Sequence, residues 1–297
     1  MVIGLYGRAI DEKHIPFVRE LLGLIKEQAI PLFLHPDYKK VLEDALEEKL
    51  DIPALSSIEE LRDRIDILFT LGGDGTILDT VRFLAGSTIP VFGINTGRLG
   101  FLTSIGRQEL AQGVAALVNG QYHIEDRILL ELESSSKLFG DSPLALNEFA
   151  VLKKESASMI TVHTFIDKEY LNSYWADGLI IATPTGSTGY SLSCGGPVVH
   201  PSSASFVITP IAPHNLTVRP LIISDDKTIS FEIEGRDKLF LSSMDSRYAS
   251  FSASERLSVK KSKLSLKMVR LNDYSFLNNI RMKMMWGADQ RNWEESY

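Results

Sequence analysis

The sequence of 297 residues contains one cysteine, Cys194. A lone thiol excludes an intramolecular disulfide framework and fits a reducing compartment. Positive charge is also short: 31 Lys and Arg stand against 38 Asp and Glu, a net charge of −7. General nucleic-acid binders show a basic excess, so no nucleic-acid partner is expected, although a local pocket can still take an anionic ligand. No apolar run approaches the roughly 20 residues that a bilayer-spanning helix needs, so no membrane partner is expected either. The first residues, Met1-Val2-Ile3-Gly4-Leu5-Tyr6-Gly7-Arg8, read as a short strand and a turn. They lack the basic start and long apolar stretch of a signal peptide. A soluble cytoplasmic protein is the default expectation. The chain has no GxxxxGK[ST] loop, no HExxH, no CxxC, no internal repeat and no low-complexity segment.

What is present is ordinary globular composition, 44% hydrophobic and 23% charged, enough for a sizeable core and more comfortable as two domains than one. The first third alternates strand and helix signals. Val2, Ile3 and Leu5 open a strand, and Ile15, Val18, Leu21, Leu22 and Ile25 follow at helical spacing. Leu32, Phe33 and Leu34 form a second short apolar run ended by His35-Pro36, and Tyr38, Val41, Leu42, Ala45 and Leu46 form another helical stripe. Ser57 and Glu60 have the spacing of a capping box. Ile65, Ile67, Leu68, Phe69 and Leu71 make a dense apolar strand running into Gly72-Gly73-Asp74-Gly75-Thr76. Ile77, Leu78, Val81 and Leu84 follow at helical spacing, then a strand over Val91–Ile94. This alternation favours a parallel sheet with helices on both faces.

After a helix ending near Gly120 the pattern changes. Ile160, Val162 and Ile166 fall on one side of a strand, as do Ile229, Phe231 and Ile233, then Leu257 and Val259, then Leu264 and Leu266. Period-two alternation predicts half-buried antiparallel sheet. From Tyr274 to Trp286 helical spacing returns through Leu277, Ile280 and Met284, with Gly287 as the stop. The pattern places the boundary between an α/β domain and a β-rich domain at roughly residue 120.

The glycine-rich turn carries the first chemical signal. Glycines between a buried strand and a helix let backbone N–H groups approach phosphate oxygens, and the helix start favours negative charge. Asp74 does not belong in a plain phosphate cradle, because its carboxylate repels bound phosphate. It makes sense if it holds a cation or accepts a proton, and phosphoryl transfer needs both services. A tight strand-to-helix turn, with glycine for positive φ and Asp as helix cap, explains the same five residues equally well.

The second signal is longer. Residues 176–201 contain a short strand, Leu179–Ala182, opening into a loop of Thr, Gly and Ser whose hydroxyls and amides suit ribose and phosphate, with Tyr190 placed to lie against a base. Pro184, Tyr190 and Pro197 argue against a merely flexible surface loop. Asn147-Glu148 can take ribose hydroxyls or an adenine edge, although solvated Asn-Glu pairs are common. Arg98 can reach a phosphate or pair with a surface acid. His200 and His214 read as structural and Cys194 as a small packed residue.

In order along the chain, GGDGT at 72–76, NTGRLGF at 95–101, NE at 147–148, DG at 177–178, TPTGSTGYSLSCGGPVVHP at 183–201 and HNLTVRPL at 214–221 resemble the NAD kinases. GGDGT alone is shared with diacylglycerol and sphingosine kinases; the TPTGSTGYS segment with HNLTVRPL is far more specific. The resemblance implies an α/β N-terminal domain with a Rossmann-like parallel sheet over residues 1–120, a mainly antiparallel C-terminal domain over 121–270, and a C-terminal helix within 271–297 packing back on the first. It implies transfer of the γ-phosphoryl of ATP to the adenosine 2′-hydroxyl of NAD, giving NADP, with Asp74 as general base. Gly72, Gly73, Gly75 and Thr76 would hold the ATP phosphates, and Mg²⁺ would be carried on those phosphates with no protein ligand assigned. Asp74, Gly75, Asn147, Glu148, Asp177, Thr188, Gly189, Tyr190, Ser191, Leu192, Ser193 and Ala212 would contact NAD, Asp177 reaching a dinucleotide in its own or a neighbouring subunit. A homodimer or homotetramer is expected.

Two departures stand out. Gly189 occupies a position where the family often has Ala, and Met244-Asp245-Ser246 stands where it usually shows Asp-Gly, so Ser246 takes no role and that of Asp245 is open. Lys153 to Trp175 gives no match. The competing readings are a GGDGT lipid kinase, opposed by the acidic balance, and a non-catalytic NAD(P)-binding sensor, opposed by the retained Asp74.

Overall fold

The computed structural model describes residues 1–55, 57–97, 100–154 and 158–286. The chain forms two compact units, one of Met1–Ile77, Ser87–Glu125 and Lys267–Tyr297, the other of Leu78–Gly86 and Asp126–Leu266.

The first unit is built as its sequence pattern dictates. Strand β1 (Ile3–Gly7) leads to α1 (Ile15–Glu27), β2 (Leu32–Leu34), α2 (Pro36–Leu46), α3 (Ile58–Arg64), β3 (Ile67–Gly72), the first turn of α4 (Asp74–Leu84), whose remainder from Leu78 belongs to the second unit, β4 (Val91–Asn95) and α5 (Leu110–Val118). Helix α1 carries Pro16 in its first turn, where a missing N–H costs nothing, and buries Phe17, Val18, Leu21 and Ile25. Ser57 caps α3 by accepting from the Glu60 amide at 3.1 Å. The strands run parallel in the order β2-β1-β3-β4. Ile67 to Leu71 are all buried, as a parallel strand covered on both faces requires.

The second unit contains most of β5 (Tyr122–Ser134), β6 (Leu144–Ala145), β7 (Glu148–Leu152), β8 (Ile160–Ile166), β9 (Glu169–Ala176), β10 (Gly178–Ala182), a single turn α6 (Tyr190–Ser193), β11 (Ser205–Ile211), β12 (Leu221–Ser224), β13 (Ile229–Glu234), β14 (Leu239–Met244), β15 (Arg247–Ser252) and most of β16 (Leu257–Leu271). One antiparallel sheet has the order β12-β11-β10-β7-β14-β15. Strand β13 pairs antiparallel with β8 and β16. The alternating residues Ile160, Val162, Ile229, Phe231, Ile233, Leu257 and Val259 share a core with Phe149, Phe206 and Phe240.

Strand β16 departs from the simple alternation. Its buried positions shift from Leu257 and Val259 to Ser262, Leu266 and Met268, and Leu264 is left 43% exposed. Leu264 instead covers Gly86, where a side chain would lie 2.7 Å from its Cδ2. The end of β16 pairs with β4 in the first unit, and α7 (Phe276–Met284) follows. Ser275 caps α7 through the Asn278 amide, and Met285 ends it in the left-handed region at φ 49°, two residues before the expected stop at Gly287, which lies outside the described residues. Among the described residues no helix is long and apolar enough to cross a membrane.

Candidate functional site

In the first unit β3 delivers Gly72 at φ +151°, a left-handed value that a side chain would also block by meeting Thr76 Oγ1 at 2.2 Å. The turn therefore closes tightly and puts Asp74 at the first position of α4. Among the described residues its carboxylate is held by backbone amides. Oδ2 accepts from the Phe101 amide at 2.8 Å, and Oδ1 from the amides of Leu102 and Thr103 at 3.1 and 3.3 Å. A carboxylate has about four acceptor positions. Among the described residues these donors fill three and leave one on Oδ2. Gly100 is what permits the approach, since a Cβ there would sit 1.9 Å from Asp74 Oδ1.

Beside this turn lies a cavity of about 340 Å³ lined by Gly72, Gly73, Gly75, Thr76, Thr96 and Arg8, among others. A side chain on Gly75 would lie 3.2 Å from Arg8 Nη1, so the guanidinium stands against the glycine turn. Reading along the chain missed Arg8, because it follows β1 rather than any motif; its position one residue past a strand's carboxyl end was the available signal. Arg98 lies outside the described residues.

The second cluster is in the second unit. The segment expected as an open loop folds into a 3₁₀ turn, Thr185–Thr188, and the short α6. Its hydroxyls are largely spent inside the protein. Thr183 Oγ1 donates to the Leu146 carbonyl at 2.5 Å, Ser187 Oγ to the Pro184 carbonyl at 2.7 Å, and Ser191 Oγ lies 2.8 Å from Thr209 Oγ1. Ser191 is fully buried, whereas Tyr190 is 38% exposed. Gly186 lets this turn pack on Asn147, where a Cβ would come within 2.1 Å of the Asn147 carbonyl oxygen. Gly189 does the same for Glu148: a methyl there would lie 3.0 Å from Oε2. The Ala-to-Gly departure thus relieves crowding on a carboxylate instead of only loosening a loop.

Asp245, whose role the sequence left open, organises this cluster. Its Oδ2 accepts from the Leu146 amide at 2.8 Å, and its Oδ1 from the Asn147 and Glu148 amides at 2.8 and 3.1 Å. Its carboxylate is crowded enough that loss of hydration pushes its pKa up to about 6 despite those three donors. Glu148 is buried, and desolvation with the nearby Asp245 charge pushes it up to about 8. Three buried polar atoms, Asn147 Oδ1, Glu148 Oε2 and Thr185 Oγ1, have no hydrogen-bond partner among the described residues. Asp177 is ion-paired with Lys153 at 2.7 Å, a partner the sequence did not reveal. Ala212 is exposed at φ 44°, and the rings of His214 and Trp175 are 4.2 Å apart.

A raised carboxyl pKa fixes the sign of a pH effect. The native state holds a proton on Glu148 that the unfolded state has released above its ordinary 4.5, so stability declines as pH rises towards about 8. Between pH 6 and 8 this contribution is about 2 kcal/mol. Glu148→Gln, which mimics the protonated form, is expected to flatten that decline in thermal melts. A variant as pH-sensitive as the parent would contradict the assignment.

A carboxylate fixed at a glycine-rich strand-to-helix turn, with a second cluster of buried carboxyl, amide and hydroxyl groups, defines the class: an enzyme, and a kinase. Residues 3–122 match the ATP-NAD kinase N-terminal domain and residues 146–271 the ATP-NAD kinase C-terminal domain. The chain belongs to the ATP-NAD kinase family. It is 46% identical to an NAD kinase of Cytophaga hutchinsonii, covering 98% of this chain and 100% of the relative. It is 43% identical to one from Christiangramia forsetii, with the same coverage. Among solved structures, an NAD kinase from Archaeoglobus fulgidus in complex with ATP matches at TM-score 0.74 and 27% identity, covering 96% of this chain and 99% of that one. A yeast NADH kinase complexed with NADH shares the fold at TM-score 0.85 and 23% identity, covering 97% and 88%. These relatives favour neither the lipid-kinase nor the sensor reading.

Proposed function

We propose that the chain transfers the γ-phosphoryl of ATP to the adenosine 2′-hydroxyl of NAD, releasing ADP and NADP, with Asp74 as the proton acceptor. The observation that carries this reading is the Asp74 carboxylate itself. Three amides fix it, the described residues leave one acceptor position on Oδ2, and it stands at the head of the turn that lines the cavity of about 340 Å³. The 2′-oxygen attacks the γ-phosphorus as the bond to the β-bridging oxygen breaks, and the hydroxyl proton passes to Oδ2. Such transfer is mostly positioning and charge neutralisation, so Gly72, Gly73, Gly75 and Thr76 serve by offering amides and a hydroxyl to the ATP phosphates.

On this reading the domain of residues 1–120 and 271–297 binds the nucleotide phosphates and residues 121–270 bind NAD. The orphaned Asn147 Oδ1, Glu148 Oε2 and Thr185 Oγ1 fit a ligand rich in hydroxyl and amine groups, supporting Asn147 and Glu148 as adenosine contacts. Tyr190 offers a half-exposed ring to a base, while Thr188, Gly189, Leu192 and Ser193 shape the wall. Ser191 acts through the placement of the turn, since its hydroxyl is paired inside. Asp177, Ala212 and Gly75 complete the dinucleotide contacts.

Mg²⁺ would be held through the ATP phosphates at the turn of Gly72, Gly73, Gly75 and Thr76, where it would supply positive charge against the developing negative charge. Asp74 with most of its acceptor positions filled fits a metal bound through phosphate and water better than one caged by protein. The working form is a cytoplasmic homodimer or homotetramer, which sedimentation would distinguish.

The test is incubation of purified protein with NAD, Mg²⁺ and either ATP or polyphosphate, reading NADP through an NADP-specific dehydrogenase. NADP formed with ATP supports the proposal. NADP formed only with polyphosphate would replace the donor, and NAD binding without product from either donor would overturn the reaction.

A further inference from the structure

One peptide unit in the first unit of the fold has both polar ends engaged. The N–H of the Gly100–Phe101 peptide donates to Asp74 Oδ2 at 2.8 Å. The carbonyl of that same peptide accepts from Lys283 Nζ, reaching out from the last turn of α7. The Lys283 ammonium also stands 5.1 Å from the centre of the Phe101 ring, a cation–π distance. Nearby, buried Arg270 donates to the Leu102 carbonyl at 2.8 Å. Two cations thus hold the carbonyl side of a loop whose amide side holds Asp74.

We propose that Lys283 is a positioning residue for phosphoryl transfer: by anchoring and polarising the Gly100–Phe101 peptide, it fixes the Asp74 carboxylate in its reactive orientation. The inference rests on the reading of Asp74 as base. A cation on a carbonyl draws electron density along the peptide and strengthens the hydrogen bond its N–H gives, so the effect arrives at Oδ2, the oxygen with the open acceptor position. The charged groups facing Lys283 are Asp74 from α4, Arg270 from β16 and Glu109 from the turn before α5. Burial outweighs the two carboxylates and lowers the ammonium to about 8. A lysine lowered in this way keeps its charge at neutral pH and loses it as pH rises through about 8, so turnover declines there. Arginine in its place stays charged throughout.

The experiment measures kcat, both KM values and thermal stability from pH 6 to 10 for the parent, Lys283→Met and Lys283→Arg. For Lys283→Met the expected result is a kcat lower by about ten- to a hundred-fold, with both KM values within about two-fold. Lys283→Arg should recover most of the rate and lack the decline near pH 8. A Lys283→Met enzyme with parental kcat and pH profile overturns the proposal, as does a loss confined to KM or melting temperature. Should Lys283→Met fail to fold, a Lys283→Arg enzyme that keeps the parental decline overturns it. Asp74→Asn run alongside separates the two readings. Its retained turnover would remove the base, whereas an inactive Asp74→Asn beside an unaffected Lys283→Met would remove only the role of Lys283.

Discussion

Asp74→Asn is expected to fold like the parent and to lose about 10²- to 10⁴-fold in kcat, the usual range for a missing general base. The geometry indicates why the loss lies in the chemical step. An asparagine oxygen can still accept from the Leu102 and Thr103 amides, as Oδ1 does now. The new NH₂ group replaces Oδ2, the oxygen that accepts from Phe101 and holds the remaining acceptor position. It has no lone pair for a departing proton, and it faces a backbone donor with another donor. That conflict costs about 1–3 kcal/mol, small against the stability of a two-unit protein of this size. Both KM values should stay near the parent, because neither phosphate-facing amides nor the second cluster is touched. Steady-state kinetics and circular dichroism together check this. Turnover within about ten-fold of the parent would mean that the proton leaves to another group or directly to water.

The parts of this site that sequence reasoning reached are those built from neighbours in the chain. Ile67 to Leu71 announce a buried parallel strand, and the glycines after them announce a tight turn. Asp74 draws notice as a charge that does not belong beside phosphate. What holds Asp74 is invisible at that level, because the donors are backbone amides 27 to 29 residues further on and amides carry no side-chain signature. Lys283 is more remote still, 183 residues from the carbonyl it binds. The Thr-Gly-Ser segment illustrates the opposite error. Its composition suggests hydroxyls offered outward, but a short polar stretch packed against β7 and β10 satisfies its own hydroxyls first. Thr183, Ser187 and Ser191 are therefore fully buried. Leu264 follows from the same limit: alternation gives the face of a short strand, and a 15-residue strand changes face along its length.

Asp245→Ala is expected to destabilise the protein by about 3 kcal/mol and to weaken NAD binding about ten-fold, with kcat at saturating NAD largely retained. Removing the carboxylate strands the amides of Leu146, Asn147 and Glu148, which donate to it. Residue 245 also sits at φ 51°, where Asp is tolerated better than Ala. Part of the loss is returned, because a carboxylate whose pKa is already pushed up to about 6 is costly to keep charged. Asp245→Asn should fall between the two, since its single oxygen satisfies one side of the fork and sets an NH₂ against the other. The consequence for NAD comes through Asn147 and Glu148, which stand on the backbone that Asp245 fixes. The variant removes the charge that helps hold Glu148 at about 8, so its pKa should drop and the decline in stability with pH should end at a lower pH and be smaller. Urea unfolding at pH 6 and 8, with KM for NAD, measures all three effects. A loss below about 1 kcal/mol would mean that water replaces the carboxylate at these amides, and the fork would then be an accessory to the site and not its frame.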